Sequence, residues 1–302
     1  MTAEPARPAP NQSPPSGDVW TVSRVLDWTV KHLKQNGSPS PRLDAEVLLA
    51  HARGCPRIKL YTDFDQSMTD AQRAIMRDLV KRRAQSEPVA YLIGEREFYS
   101  LTFQLTRDVL IPRPDTEVLV MELIERARNL PSPKILDLGT GSGCIAVTAA
   151  ANLPQATVTA VDVSPAALEV AKANALRHKV DSRMDFLEGD LFGPVSDGSR
   201  FDFIVSNPPY IPSGELAELQ ADVRKHEPQL ALDGGPDGLD IIRRIVADLP
   251  RFLTESGGFL VEIDPPQSAA VQTMLSETGH FEKISTVKDL AGEQRVVIAG
   301  HQ

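Results

Sequence analysis

The sequence predicts an α/β protein in which a mostly parallel sheet, covered by helices on both faces, follows a small helical bundle and a β-hairpin. Short apolar runs at 134–138, 157–162, 184–187, 201–206 and 258–263 alternate with helical stretches such as 165–176 and 238–249. Crossover connections of this kind build a parallel sheet. Residues 19–85 show helical periodicity alone. At the far end, 283–287 and 294–299 are joined by only a short turn, which makes them a terminal antiparallel pair.

Residues 1–18 carry Pro5, Pro8, Pro10, Pro14 and Pro15 with no apolar periodicity, the composition of a disordered tail. From Thr21 the residues Val22, Val25, Leu26, Val30 and Leu33 recur at helical spacing until Gly37 and Pro39. A second helix carries Leu43, Val47, Leu48 and His51 and stops at Gly54. A third starts at a Thr69 cap and carries Ile75, Met76, Leu79 and Val80. Residues 19–85 therefore form a bundle, with Trp20 and Trp28 as anchors and Lys81-Arg82-Arg83 as a solvated helix end suited to the helix dipole. The linker 86–112 contains the hairpin, read from Phe98, Leu101, Phe103, Leu105 and Leu110. Helix 116–129, capped by Asp115, opens the sheet domain, 113–302.

A chain of 302 residues is long enough for one large domain and one small one. With 32 Lys+Arg against 41 Asp+Glu the net charge is −9, which argues against a general polyanion binder. No apolar run approaches the roughly 18 residues of a membrane span, and no apolar signal core follows a basic start. A cytoplasmic protein without membrane or nucleic-acid partners is expected. The two cysteines, Cys55 and Cys144, fall in different domains, and the six histidines include no His-x-x-x-His pair. Neither a disulfide framework nor a metal site is expected.

The first strand of the sheet domain ends in Asp137-Leu138-Gly139-Thr140-Gly141-Ser142-Gly143. Open parallel sheets bind ligands beyond such strand ends, and glycines there let backbone pass close to a ligand. The spacing is not that of a dinucleotide fingerprint, and no Gly-Lys-Ser/Thr follows to hold a triphosphate, so a nucleoside without a phosphate chain fits. Asp162 ends the next strand, where a carboxylate accepts both hydroxyls of a ribose. It also precedes Ser164-Pro165 and so competes for the role of helix cap, but strand and glycine context favour the ligand. Asp137 either orients the glycine loop or meets an ammonium of the ligand. Cys144 reads as a packing residue.

After the fourth strand the chain reads Asn207-Pro208-Pro209-Tyr210. Each proline fixes φ and removes an N–H, so the segment is rigid and rich in acceptors. The Asn207 carboxamide oxygen and a nearby carbonyl can accept both protons of a planar –NH2 group, with Tyr210 packed on its face.

Taken together, the 137–143 loop, Asp162 and Asn207–Tyr210 resemble class I S-adenosylmethionine-dependent methyltransferases acting on planar amino groups. Leu43-Asp44-Ala45-Glu46-Val47-Leu48-Leu49, Ile111-Pro112-Arg113-Pro114-Asp115-Thr116-Glu117, Glu227-Pro228 with Ala231-Leu232 and Gly234-Gly235, and Gly292 with Arg295 narrow this. Over residues 19–300 the chain resembles the PrmC/HemK family of peptide chain release factor glutamine methyltransferases.

The resemblance implies a Rossmann-like methyltransferase domain with a seven-stranded sheet and class 1 release factors as substrates; domain order, and the contact a protein substrate needs beyond one glutamine, make the helical domain the expected docking part. The implied reaction methylates the side-chain amide nitrogen of the glutamine in the Gly-Gly-Gln motif of those factors. It implies that Asp137, Gly139, Thr140, Gly141, Ser142 and Gly143 surround the cofactor and that Asp162 holds its ribose. Asp190 and Leu191 would flank the adenine, and Asn207 would adjoin the cofactor as well as the substrate. Asn207, Pro208, Pro209 and Tyr210 would grip the glutamine amide as the catalytic element, with Arg113 beside the substrate. The sequence departs from the family at Leu191, where an aromatic is common, at His226, commonly Tyr, and at Pro265, where a glycine is expected. The rivals are a ribosomal-protein glutamine methyltransferase, a nucleic-acid amino-group methyltransferase and a cofactor-binding scaffold without turnover. A monomer is expected.

Overall fold

The computed structural model describes residues 19–301; the tail expected at 1–18 lies outside the described residues. The chain divides into two units, one ending at Gln85 and the other starting at Ser86.

In the first unit, α1 (Val22–Gln35) begins at Thr21, whose Oγ1 accepts the Arg24 N–H at 3.3 Å, and buries Val22, Val25, Leu26 and Leu33. Helix α2 (Pro41–Arg53) ends at Gly54, whose φ of 65° is the left-handed conformation that favours glycine. A single turn, α3 (Lys59–Thr62), buries Leu60 and is too short to leave a periodic signal. Helix α4 (Asp70–Arg83) starts with a reciprocal capping box between Thr69 and Gln72 and buries Met76, Leu79 and Val80. Two expectations are corrected. Trp28 is 48% exposed and stacks on His32 at 4.9 Å, so it anchors nothing in the core. Arg83 is no solvated end: it is buried, and its Nε donates to Asp44 Oδ2 at 2.7 Å, tying α4 to α2.

The Ser38 and Ser40 hydroxyls also donate to Asp44, at 2.7 and 3.0 Å. Replacing Arg83 with Met should therefore cost about 2–3 kcal/mol, less than a buried charge left wholly unpaired. A urea midpoint unchanged in Arg83→Met would show the pair to be energetically idle.

The second unit opens with α5 (Val89–Ile93) and the antiparallel hairpin β1 (Glu95–Phe98) and β2 (Leu101–Gln104). Its turn residues, Tyr99 and Ser100, have φ of 49° and 61°, a conformation usually given to Asn-Gly. The Glu117 carboxylate accepts the Tyr99 N–H at 2.9 Å. There follow α6 (Thr116–Ala127), β3 (Lys134–Leu138), α7 (Cys144–Asn152), β4 (Thr157–Asp162), α8 (Pro165–Arg177), β5 (Met184–Glu188) and β6 (Phe201–Ser206). The unit closes with α9 (Ala221–His226), α10 (Asp240–Phe252), β7 (Leu253–Glu262), α11 (Ser268–Glu277), β8 (Lys283–Lys288) and β9 (Gln294–Gly300).

The seven-stranded sheet has the order β5-β4-β3-β6-β7-β9-β8 and is parallel except at β9. The expected antiparallel pair is present, but its last strand inserts between β7 and β8 rather than ending the sheet. Alternation along β3 sends Ile135 to a core with α6 and α7, and Leu136 and Leu138 to one with α10 and α11. Leu138 pairs with Val161 and with Ser206, so the loops after β3, β4 and β6 open side by side where the strand order reverses.

Candidate active site

A cavity of about 410 Å³ lies at that edge, within the range of small-molecule sites. It is lined by Gly139–Ser142 and Cys144, Asp162–Ser164, Gly189–Leu191 and Ser206–Pro209, with Leu110, Pro112, Thr116, Leu230 and Arg244 at its other walls. Asp137, Gly143, Arg113 and Tyr210 are not among the lining residues.

The glycine loop is held from three sides. Gly139 and Thr140 both donate backbone N–H groups to Val161 O at 2.9 Å, and Gly141 donates to Asp162 Oδ2 at 2.8 Å. Asp162 Oδ1 accepts the Ser164 N–H at 2.9 Å, while the cap of α8 is the Ser164 hydroxyl, which accepts Ala167 N–H. Asp162 is thus the strut of the glycine loop and no helix cap. Its carboxyl pKa is raised by burial, against those backbone donors. Gly143 has φ 78°, and a Cβ there would press on Ala171 of α8, so its close neighbour is a helix rather than the sheet.

The third support is Asn174, wholly buried on α8. Its Nδ2 donates to Ser142 O at 2.9 Å and Gln104 O at 3.0 Å, and its Oδ1 accepts the Gln104 N–H at 2.7 Å. One side chain so pairs with the hairpin as a strand would, and fixes the loop. Sequence reasoning passed over Asn174; its signal is a carboxamide inside an apolar helix face.

Asp137 is completely buried beneath the loop. Its Oδ2 accepts the Thr140 hydroxyl at 2.7 Å, whereas Oδ1 has no hydrogen-bond partner. Burial pushes its carboxyl up to about 7. A buried acceptor left unmade is costly, so this atom calls for a cation or an N–H donor. Asp190 is paired with Arg244 across the cavity rim, and Leu191 holds φ 49° beside the cavity. The glycine cradle and the half-buried Asp162 carboxylate at the cavity fit a nucleoside.

On the opposite wall, Asn207 Nδ2 donates one N–H to Thr116 Oγ1 at 3.2 Å, which leaves the carboxamide oxygen and the second N–H beside the cavity. Tyr210 points away from the cavity lining, and its hydroxyl donates to Glu262 Oε1 at 3.3 Å. Tyr210, expected to pack on the substrate, does not line the cavity. Glu262 is 1% exposed, and burial pushes its carboxyl up to about 7 against the Thr116 and Tyr210 hydroxyls and the Arg295 charge. A lone Glu ending an apolar strand is the sequence signal that would have found it. The backbone of the element is gripped by the 232–238 loop: Ile211 N–H donates to Leu232 O at 3.0 Å, and Gly234 N–H to Ile211 O at 2.9 Å. The Gln267 side chain donates to Tyr210 O at 2.8 Å.

Arg113, expected beside the substrate, is committed to buried Glu227 at 2.6 Å, and Glu227 Oε2 also accepts the Ile111 N–H at 3.2 Å. The pair fixes the Ile111–Pro112 wall. Asp115 makes no side-chain cap and faces Arg295 at 3.8 Å instead. Arg295 also pairs with Asp289 at 3.1 Å and donates to Ile263 O at 3.3 Å, joining α6, β7 and the β8–β9 turn.

Among known families, a PrmC N-terminal domain matches residues 24–94 and a methyltransferase small domain matches 114–225. The release factor glutamine methyltransferase of Rhodopirellula baltica is 47% identical over 92% of this chain and 95% of its own length. That of Geobacter sulfurreducens is 46% identical over 93% and 96%. Among solved structures, the hMettl16 catalytic domain in complex with MAT2A 3′UTR hairpin 6 has a TM-score of 0.57 at 17% identity, covering 74% of this chain and 82% of that one. A methyltransferase from Pyrococcus furiosus has a TM-score of 0.50 at 16% identity, covering 67% and 90%. These structures share the fold. Identity of this level over nearly the whole of both chains places the protein more narrowly: it is a methyltransferase and belongs to the release factor glutamine methyltransferase family.

Proposed function

We propose that the protein transfers a methyl group from S-adenosylmethionine to the side-chain amide nitrogen of the glutamine in the Gly-Gly-Gln motif of class 1 release factors. The observation that carries this is the orientation of Asn207. With one Nδ2 hydrogen committed to Thr116 and two prolines that lack N–H groups behind it, the element offers the cavity the Asn207 carboxamide oxygen and backbone carbonyls as acceptors, which suits a –NH2 group.

When bound, the cofactor supplies an electrophilic methyl group on a sulphonium. Gly139–Ser142 would surround its methionine part and ribose, Asp162 would meet the ribose hydroxyls, and Asp190 and Leu191 the adenine, while Asp137 holds the loop from beneath through Thr140. Asp162 takes this role only by sharing its oxygens with the Gly141 and Ser164 N–H groups. Asp162→Ala should weaken cofactor binding roughly 5- to 150-fold, the range of charged hydrogen bonds. Unaltered binding by calorimetry would remove Asp162 from the site.

An amide nitrogen is a poor nucleophile because its lone pair is delocalised. Asn207 accepting its N–H leaves the nitrogen richer in electrons and steadies the positive charge that it gains. Holding the nitrogen in line with the methyl group supplies several kcal/mol more. Cys144, the one thiol in the lining, is pushed up to about 12 by burial, and no His or Lys lines the cavity among the described residues. The reaction therefore runs by direct transfer, without a covalent enzyme intermediate. The nitrogen's extra proton leaves to solvent afterwards.

The helical unit is assigned the docking of the protein substrate, since one glutamine offers little contact. The test is mass spectrometry of a purified class 1 release factor after incubation with the protein and S-adenosylmethionine, beside a factor with its motif glutamine replaced and a short peptide bearing the motif. A single methyl on that glutamine, and a higher KM for the peptide, are expected. An unmodified factor would overturn the substrate assignment, and equal KM values the docking role.

A further inference from the structure

We propose that Glu262 is a positioning residue for methyl transfer: seated behind Asn207–Tyr210, its carboxylate fixes Tyr210 and, through Thr116, keeps the Asn207 carboxamide oxygen turned toward the substrate. The inference rests on the function proposed above and concerns a residue that does not line the cavity.

Glu262 is the last residue of β7, one position beyond the paired Ser206 and Val261, which sets it level with Asn207 at the end of the neighbouring strand. Its Oε1 accepts the Tyr210 hydroxyl, and its Oε2 has no hydrogen-bond partner. The Thr116 hydroxyl lies beside the carboxyl group, and both residues are 1% exposed. A hydroxyl has one proton to give. Because Thr116 Oγ1 accepts from Asn207 Nδ2, its own proton is free to turn to the carboxylate. Turned that way, the Thr116 proton would complete a chain from the Asn207 N–H through the Thr116 hydroxyl to ionised Glu262. Protonated, Glu262 loses the charge that draws the Thr116 proton, and the chain that holds the Asn207 carboxamide loosens.

The groups facing Glu262 are Asp115 and Thr116 from the start of α6, Cys144 from the start of α7, Tyr210 from the segment after β6, and Arg295 from β9. No cation lies within ion-pair distance of Glu262 among the described ion pairs, since Arg295 is engaged by Asp115 and Asp289. Burial is thus only partly offset, and the carboxyl titrates near neutrality, at about 7. Turnover should rise with pH across that region, as the competent, ionised form fills.

The test uses the full-length protein labelled with nitrogen-15 at asparagine, the Asn207 side-chain signal being identified by its loss in Asn207→Asp. From about pH 5.5 to 8.5 that signal should titrate with a midpoint near 7, remain flat in Glu262→Gln and titrate still in Asp137→Asn. A titration surviving in Glu262→Gln, or abolished only by Asp137→Asn, overturns the proposal. In turnover, kcat of Glu262→Gln should be about tenfold lower and independent of pH, with KM and cofactor affinity unchanged, as for one charged hydrogen bond lost. Glu262→Ala with native kcat would also overturn it. The spectroscopic arm needs no substrate. A wrong substrate assignment would appear as an unmethylated factor with the Asn207 titration intact, whereas a wrong role for Glu262 would appear as methylation without it.

Discussion

Asn207→Ala should lower kcat about 10²-fold or more while leaving the affinity for S-adenosylmethionine within about twofold. The asymmetry follows from the local structure. The glycine loop is held by Val161 O, the Asp162 carboxylate and Asn174, whereas the Asn207 side chain is hydrogen-bonded to Thr116. Removing the carboxamide deletes the one polar side-chain group that Asn207 presents to the acceptor amide, and frees Thr116 Oγ1. The lost interaction strengthens as the nitrogen becomes positive, so it belongs to the transition state and appears in kcat. Asn207→Asp separates geometry from charge. A carboxylate keeps an acceptor in place but loses the N–H to Thr116, so it should recover only part of the activity. Single-turnover rates measured by mass spectrometry, beside cofactor titration, decide the matter. A native rate in Asn207→Ala would show that this side chain takes no part in the chemistry.

The fold was legible because its signals are local and repeated. Apolar runs ending in glycine or Asn-Pro mark β3 and β6, and the helix caps at Thr21 and Thr69 sit where the pattern changes. Elements without a local signal were not legible. The turn at Tyr99-Ser100 holds positive φ without glycine or asparagine, and α3 and α5 are too short for periodicity. The insertion of β9 between β7 and β8 depends on long-range pairing that spacing does not encode. At the candidate site, the places of Asp162 and Asn207 on the cavity were legible because strand ends face the ligand edge of a parallel sheet. Which way a side chain turns there was not. Tyr210 and Arg113 belong to the same motifs, yet one turns to Glu262 and the other to Glu227, because each meets a buried carboxylate contributed by a distant segment.

Gly238→Ala should reduce kcat/KM by about 10²-fold with the cofactor site intact, although Gly238 does not line the cavity. Gly238 holds φ 77°, and an added Cβ would overlap the Tyr210 carbonyl oxygen and the Gln267 side-chain nitrogen. Those two atoms are hydrogen-bonded to each other at 2.8 Å, and Gln267 also donates to Gly238 O at 3.3 Å. Neither can retreat without breaking the clamp. Gly234 closes the space on the other side, since a Cβ there would meet Pro209 O and Tyr210 Cα at 2.7 and 2.8 Å. The strain therefore passes into Asn207–Tyr210, where a displacement near 1 Å costs about two orders of magnitude. Gly198→Ala is the control: it has φ 86° but nothing within 4 Å of an added Cβ. It bears only the left-handed backbone cost, about 1–2 kcal/mol of stability, and should turn over normally. Equal kcat/KM in the two variants, measured with the same release factor, would mean that the 232–238 loop does not hold the catalytic element.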